Sequence, residues 1–209
     1  MSVFGILLIS IQAHTGFTLT RWSPEMTQSA LLNIDVQRSF EHKDFWQQDD
    51  LPAFSAALTR LIDGCQARNV PVIDVFHVNP DGDFSLASGL VTPMTFLTHQ
   101  PQHVVHKHVH NALTESGLDG WLRDKGITHL IIAGMRTEQC CETTARVASD
   151  LGYSVTFVTE ATLTFPMTHA SGLTLSAQEI KLRTELVLDD RFATLTDVTG
   201  ALAELDRVV

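Results

Sequence analysis

The chain has 209 residues, enough for one α/β domain with a sizeable core and no length that demands two. Hydrophobic residues make up 44% and the mean hydropathy is +0.08, which excludes a disordered composition. A net charge of −10 argues against nucleic acid or an anionic membrane surface as partner, since both select a basic patch.

The first residues, MSVFGILLISIQ, are apolar but too short to span a bilayer, and Arg21 is the first basic residue, so the positive start of a secretory signal is missing. Met26 follows shortly before the first convincing strand. Residues 1–25 are read as an N-terminal extension and 26–209 as the domain. Ala30 to Asp35, ALLNID, reads as a buried strand ending in a carboxylate. DLPAFSAALTRLIDGCQARN reads as a helix: Pro52 suits a first turn, and Phe54, Leu58, Leu61, Ile62 and Cys65 recur at helical spacing. VPVIDVFHV is a second strand, and NPDGDFSLASG a turn-rich loop. HVVHK is a third strand, ALTESGLDGWLRDKG a helix, THLIIAGM a fourth strand and YSVTFVTEA a fifth. SAQEIKLRTELVLDD reads as a helix with an apolar stripe at Ile180, Leu182, Leu186 and Val187. FATLTDV is a sixth strand and TGALAELDRVV a last helix. Alternating helices and continuous apolar strands predict a parallel sheet covered on both faces, with a site beyond the carboxyl ends of its strands.

Three cysteines, Cys65, Cys140 and Cys141, show no CxxC spacing, which argues against a disulfide framework and for a reducing, cytoplasmic setting. Cys65 lies on a helical apolar stripe and reads as core. Cys140 and Cys141 are adjacent, and neighbours on a helix point about 100° apart. On a helical wheel Cys141 joins Thr144, Ala145, Val147, Ala148 and Leu151 in an apolar arc, whereas Glu142, Thr143, Arg146, Ser149 and Asp150 form the polar arc. Cys140 sits at the arc's edge in a first turn capped by Thr137. There, free N–H groups and the helix dipole lower a thiol's pKa, so Cys140 is the candidate nucleophile and Cys141 a buried thiol. A thiol nucleophile needs a proton acceptor and an oxyanion holder. Asp35, at the end of the first strand, can supply the first, with Lys107, at the end of the third, in support. Backbone N–H groups of Arg136 and Cys140 can supply the second. No G-x-S-x-G, P-loop or G-x-G-x-x-G pattern is present.

LLNIDVQRSF, VHKHVHNAL and IIAGMRTEQCCETTARVASDLGYSVTFVTEA together resemble the isochorismatase-like cysteine hydrolases, over roughly Gln28 to Thr199. The resemblance implies a three-layer αβα sandwich around a six-stranded parallel sheet and a triad of Asp35, Lys107 and Cys140. It also implies a cis peptide between Met135 and Arg136 and an assembly of two or four copies. Family members that hydrolyse vinyl ethers keep the aspartate and lysine but lack the cysteine. Cys140 therefore favours attack on a small amide, carbamoyl or ureido carbonyl with no cofactor. An isochorismate-type ether hydrolase and a catalytically silent binding protein are the alternatives. Nicotinamidases carry a metal site introduced by D-x-H after the second strand. Here His77 is present but Val75 replaces the carboxylate, so no metal is expected, and His77 is left as a pocket residue beside Phe40 and the Arg136 side chain. His103, His106, His108 and His110 are read as polar residues near the cleft mouth, at most one touching substrate. Gln37 and Phe165 stay outside the catalytic set.

Overall fold

The computed structural model describes residues 28–207, so the N-terminal extension assigned to residues 1–25 lies outside them. In chain order the described elements are β1 (Gln28–Ile34), α1 (Leu51–Ala67), β2 (Val72–His77), β3 (His103–Lys107), α2 (Leu118–Asp124) and β4 (Ile127–Met135). They continue with α3 (Glu142–Asp150), β5 (Ser154–Leu163), β6 (Met167–Thr168), β7 (Thr174–Leu175), α4 (Ala177–Leu188), β8 (Thr194–Leu195) and α5 (Val198–Leu205). Six strands form one parallel sheet in the order β3-β2-β1-β4-β5-β8, and β6 and β7 make a separate antiparallel hairpin. The chain winds outward from β1 to β3, then crosses back to β4 and winds the other way. The boundary between β1 and β4 is thus the topological switch point, where such sheets bind ligands.

Burial explains the layers. In β1, Ala30, Leu32 and Ile34 face one core cluster and Leu31 the other. The first cluster takes Leu118 and Leu122 of α2, Ala145 and Ala148 of α3, and Leu188 of α4. The second takes Phe54, Leu58, Leu61, Ile62 and Cys65 of α1, with Val198, Ala201 and Leu205 of α5. Two helices therefore cover one face and three the other, which is the αβα sandwich. The five α1 positions picked out by spacing are the five that are buried.

Several elements depart from the sequence expectation. The helix expected from Ala112 is short. Asn111 Oδ1 accepts the N–H groups of Leu113 and Thr114, Ser116 caps Leu118, and Gly117 turns through φ +78, so the segment bends before α2 begins. In α4 the buried face is Ala177, Ile180, Thr184 and Leu188, while Leu182 and Leu186 of the expected stripe are exposed at 54% and 74%. The cap is a reciprocal Ser176–Glu179 box, which fixes where the helix starts and hence which face turns inward. Glu142, placed on the polar arc of α3, is buried, because Arg146, Arg183 and Thr184 all converge on its carboxylate. No helix among the described residues is long and apolar enough to cross a membrane.

One glycine is dictated by the switch point. Gly134 has φ +120, and a Cβ there would lie 2.1 Å from the Ile34 carbonyl oxygen. The ends of β1 and β4, which carry the site, approach this closely only without a side chain.

Candidate active site

Asp35 follows β1, Lys107 is the last residue of β3, and Cys140 lies in the turn after β4. All three are buried, Asp35 and Lys107 completely and Cys140 to 7% exposure. Lys107 Nζ stands 2.8 Å from Asp35 Oδ2 and 3.4 Å from Cys140 Sγ. The sheet register produces this, since β2 separates β1 from β3 and the lysine must reach back past His77, its partner in the register, to Asp35. Asp35 Oδ2 is taken by the ammonium, while Oδ1 makes no hydrogen bond within the protein. That leaves one buried carboxylate oxygen free to receive a proton. Asp35 itself has φ 55, a left-handed conformation uncommon outside glycine. Its backbone is held there by the bond from Asp35 N to the Val75 carbonyl at 2.7 Å and from Gln37 N to the Asp35 carbonyl at 2.8 Å.

The turn carrying Cys140 is not the capped first turn of an α-helix. Thr137–Cys141 form a single π-helical turn with Arg136 at its start, and α3 begins only at Glu142. Thr137 does not cap; its hydroxyl donates to Thr162 Oγ1 at 2.8 Å. The Met135–Arg136 peptide is cis. The expected low thiol pKa is also reversed. Burial pushes the Cys140 thiol up to about 12, the Asp35 carboxylate adds to this, and the Lys107 ammonium only partly opposes it. The sulfur therefore rests protonated, and a base must take its proton.

Cys65 is pushed up to about 12 by burial, and Cys141 is held well above 9.0 by the same cause. A thiol raised in the fold stabilises it fully below the unfolded value near 9.0, and that contribution is lost as pH rises toward 12. Thermal melts are expected to fall above pH 9.0, by about 1.4 kcal/mol per pH unit for each buried thiol. Cys65→Val should flatten the fall by one thiol's share. An equally steep fall in that variant would contradict the assignment.

A cavity of about 200 Å³ opens over Cys140 and Asp35. Phe40, Phe45, Phe84, His77 and His110 supply rings to its wall, and Lys43, Asn79 and Gln139 complete it. Phe40 meets Phe84 edge-on with centroids 4.9 Å apart. Of the histidine cluster only His110 lines the cavity, because the strand ends at Lys107 and His108 turns to Glu115, 2.7 Å away. Arg136, expected to hold a substrate carboxylate, is not among the residues lining the cavity, although its buried Nε and Nη2 make no hydrogen bond within the protein. Its guanidinium lies 4.7 Å from the Phe45 ring centre and 5.7 Å from that of Phe165, and Nη2 is 3.0 Å from Glu138 Oε1. Gln37, left outside the catalytic set, clamps the end of β2: its Oε1 accepts from His77 N at 2.8 Å and its Nε2 donates to His77 O at 3.0 Å. In the sequence its signal is its place two residues past Asp35, and its burial shows only in the fold. Phe45 and Asn79 sit in irregular loops and Phe84 in the short 3-10 turn Gly82–Phe84, where no periodicity marks an inward side chain.

Asp35, His77 and Cys140 bring a carboxylate oxygen, a ring nitrogen and a sulfur within 4.8 Å of one another. They do not fit a metal, because the Lys107 ammonium already stands among them and takes a hydrogen bond's distance to each. Val75, in place of the carboxylate of a D-x-H site, is fully buried in the apolar core and offers no ligand.

Comparison with known proteins places the chain in a family. The family model described as Isochorismatase domain matches residues 29–179. Nicotinamidase 3 of Arabidopsis thaliana is 30% identical over 158 residues, spanning 68% of this chain and 76% of that protein. Streptothricin hydrolase of Streptomyces noursei is 28% identical over 191 residues, spanning 83% and 66%. Among solved structures, a candidate isochorismatase from Burkholderia xenovorans LB400 superposes with a TM-score of 0.80 at 28% identity, covering 88% of this chain and 89% of that one.

Proposed function

The chain belongs to the isochorismatase family of hydrolases, and from that premise we propose that it is a cysteine amidohydrolase acting on a small, uncharged substrate. The observation that carries the proposal is the meeting of Asp35, Lys107 and Cys140, with Asp35 and Cys140 at the wall of a cavity. Relatives named nicotinamidase and streptothricin hydrolase support the hydrolytic reading.

The steps follow from the resting protonation state. Asp35 Oδ1, the free carboxylate oxygen, takes the proton from Cys140 Sγ as the sulfur attacks the carbonyl carbon. The electron pair moves to the carbonyl oxygen, which the backbone N–H groups of Arg136 and Cys140 hold as an oxyanion. Asp35 returns the proton to the leaving nitrogen, the C–N bond breaks, and ammonia or an amine departs from a thioester. Water then attacks the thioester, Asp35 takes its proton and passes it to the departing sulfur, and the acid leaves. Lys107 keeps its positive charge between the carboxylate and the sulfur, where negative charge passes back and forth. Its burial alone would depress its pKa, but Asp35 and Cys140 outweigh this and hold it above the ordinary lysine value.

The wall decides the substrate class. Among the described residues lining the cavity, Lys43 is the one permanent cation, and Asp83 holds it at 2.9 Å. Arg136 does not line the cavity. A substrate carboxylate would enter this aromatic cavity uncompensated, at a cost of several kcal/mol. An ammonia-release screen tests the reading. Neutral amides with a planar or apolar acyl group are expected to exceed carboxylate-bearing carbamoyl compounds by about 10²-fold or more in kcat/KM. Release from no amide at all would overturn the C–N reading.

A further inference from the structure

We infer that His77 is a positioning residue: it supplies the third acceptor for the Lys107 ammonium, in the one tautomer that can do so, and Asn79 fixes that tautomer. The inference builds on the reading of Asp35, Lys107 and Cys140 as the reacting set, and it concerns what holds the lysine in place.

A lysine ammonium has three N–H groups and no lone pair. Here it is fully buried, so water does not serve it. Asp35 Oδ2 lies 2.8 Å away, Cys140 Sγ 3.4 Å away and His77 Nδ1 3.1 Å away. Three donors thus meet three acceptors. Because the ammonium can only donate, Nδ1 must carry its lone pair, and the ring proton must sit on Nε2. Nε2 is 3.1 Å from Asn79 Oδ1, the acceptor that this tautomer requires. The ring has little freedom to leave. Gln37 clamps the His77 backbone at both its N–H and its carbonyl. Phe84 meets the ring edge-on at 6.0 Å, and His110 stacks over it at 6.4 Å.

The charged and titratable groups facing the ring are Lys107 from β3, Asp35 from the end of β1, Cys140 from the turn after β4 and His110 from the loop after β3. Burial first, then the Lys107 charge, holds His77 below the ordinary histidine value, against the opposing pull of Asp35 and Asn79. The neutral ring demanded by the hydrogen bonds is therefore also the one its surroundings favour. Without this acceptor, one N–H of a buried ammonium would be orphaned, and the lysine would be free to swing its charge away from the sulfur.

The test needs no substrate. Iodoacetamide labelling of Cys140 in the full chain at mildly alkaline pH, corrected with Cys140→Ala, reads how well the site supports a thiolate. His77→Leu roughly keeps the ring's bulk and removes the acceptor; His77→Asn is smaller but places an oxygen near Nδ1. Labelling is expected to slow by about tenfold or more in His77→Leu and to stay within about threefold in His77→Asn. Asn79→Ala, at an exposed position that does not threaten the fold, should fall between them. A packing role alone predicts the reverse order, because leucine fills the space better than asparagine. Labelling in His77→Asn as slow as in His77→Leu, or an Asn79→Ala variant indistinguishable from the unmodified protein, would overturn the inference. Labelling in the expected order without ammonia release from any amide would sink the amidohydrolase reading and leave this one standing.

Discussion

Cys140→Ala is expected to remove amide hydrolysis, by about 10⁴-fold or more, while Cys141→Ala keeps most of it. The two sulfurs are one residue apart, so the comparison holds the rest of the molecule nearly constant. Cys140 lines the cavity and lies 3.4 Å from the Lys107 ammonium. Cys141 is fully buried against the apolar residues of the sheet and of α3. Deleting its sulfur leaves a small void and costs about 1–2 kcal/mol of stability rather than chemistry. Ammonia release and thermal melts on both variants check this. Equal activities would refute the nucleophile assignment. Retained turnover of an ether substrate by Cys140→Ala, with no ammonia from any amide, would instead favour the ether-hydrolase alternative, which needs only the acid.

The parallel sheet, its helical covering and the three side chains that meet beneath the cavity are legible because each leaves a one-dimensional trace. Buried strands such as ALLNID are continuous apolar runs, α1 repeats its core residues at helical spacing, and Asp35 and Lys107 each sit at a strand end. The failures share a different cause. Glu142 is buried because Arg183, 41 positions away, joins the i+4 partner Arg146 on its carboxylate, and no local pattern announces that distant guanidinium. The Leu182 and Leu186 stripe was apolar yet points outward, since the Ser176 cap and the packing of Thr184 on Glu142 decide which face of α4 turns in. The resemblance places Arg136 after a cis peptide, which the backbone has, but its side chain lies against Glu138 and two phenylalanine rings rather than in the cavity wall. The thiol pKa departs from the expectation for a related reason: a helix start implies positive potential, whereas the π turn buries the sulfur beside a carboxylate, and burial dominates.

The second large effect separates catalysis from stability at the Asp35–Lys107 pair. Both side chains are fully buried, and their 2.8 Å contact leaves neither charge to water. Lys107→Met strands the Asp35 carboxylate, and Asp35→Asn strands the ammonium. Each is expected to cost about 3–5 kcal/mol of stability. Asparagine tolerates the left-handed backbone at φ 55, so Asp35→Asn reports the lost charge rather than strain. Each single variant should also lose hydrolysis, by about 10³-fold or more, since one lacks the proton carrier and the other the charge that steadies the sulfur. The double variant Asp35→Asn/Lys107→Met removes both charges together. It should recover much of the stability lost by either single change, because no uncompensated charge remains, and recover none of the activity. Denaturant titrations and ammonia release on the three variants form a closed cycle. A double variant no more stable than the singles would show that the pair is not held as an ion pair, and a Lys107→Met protein that still turns over amides would remove the lysine from the mechanism.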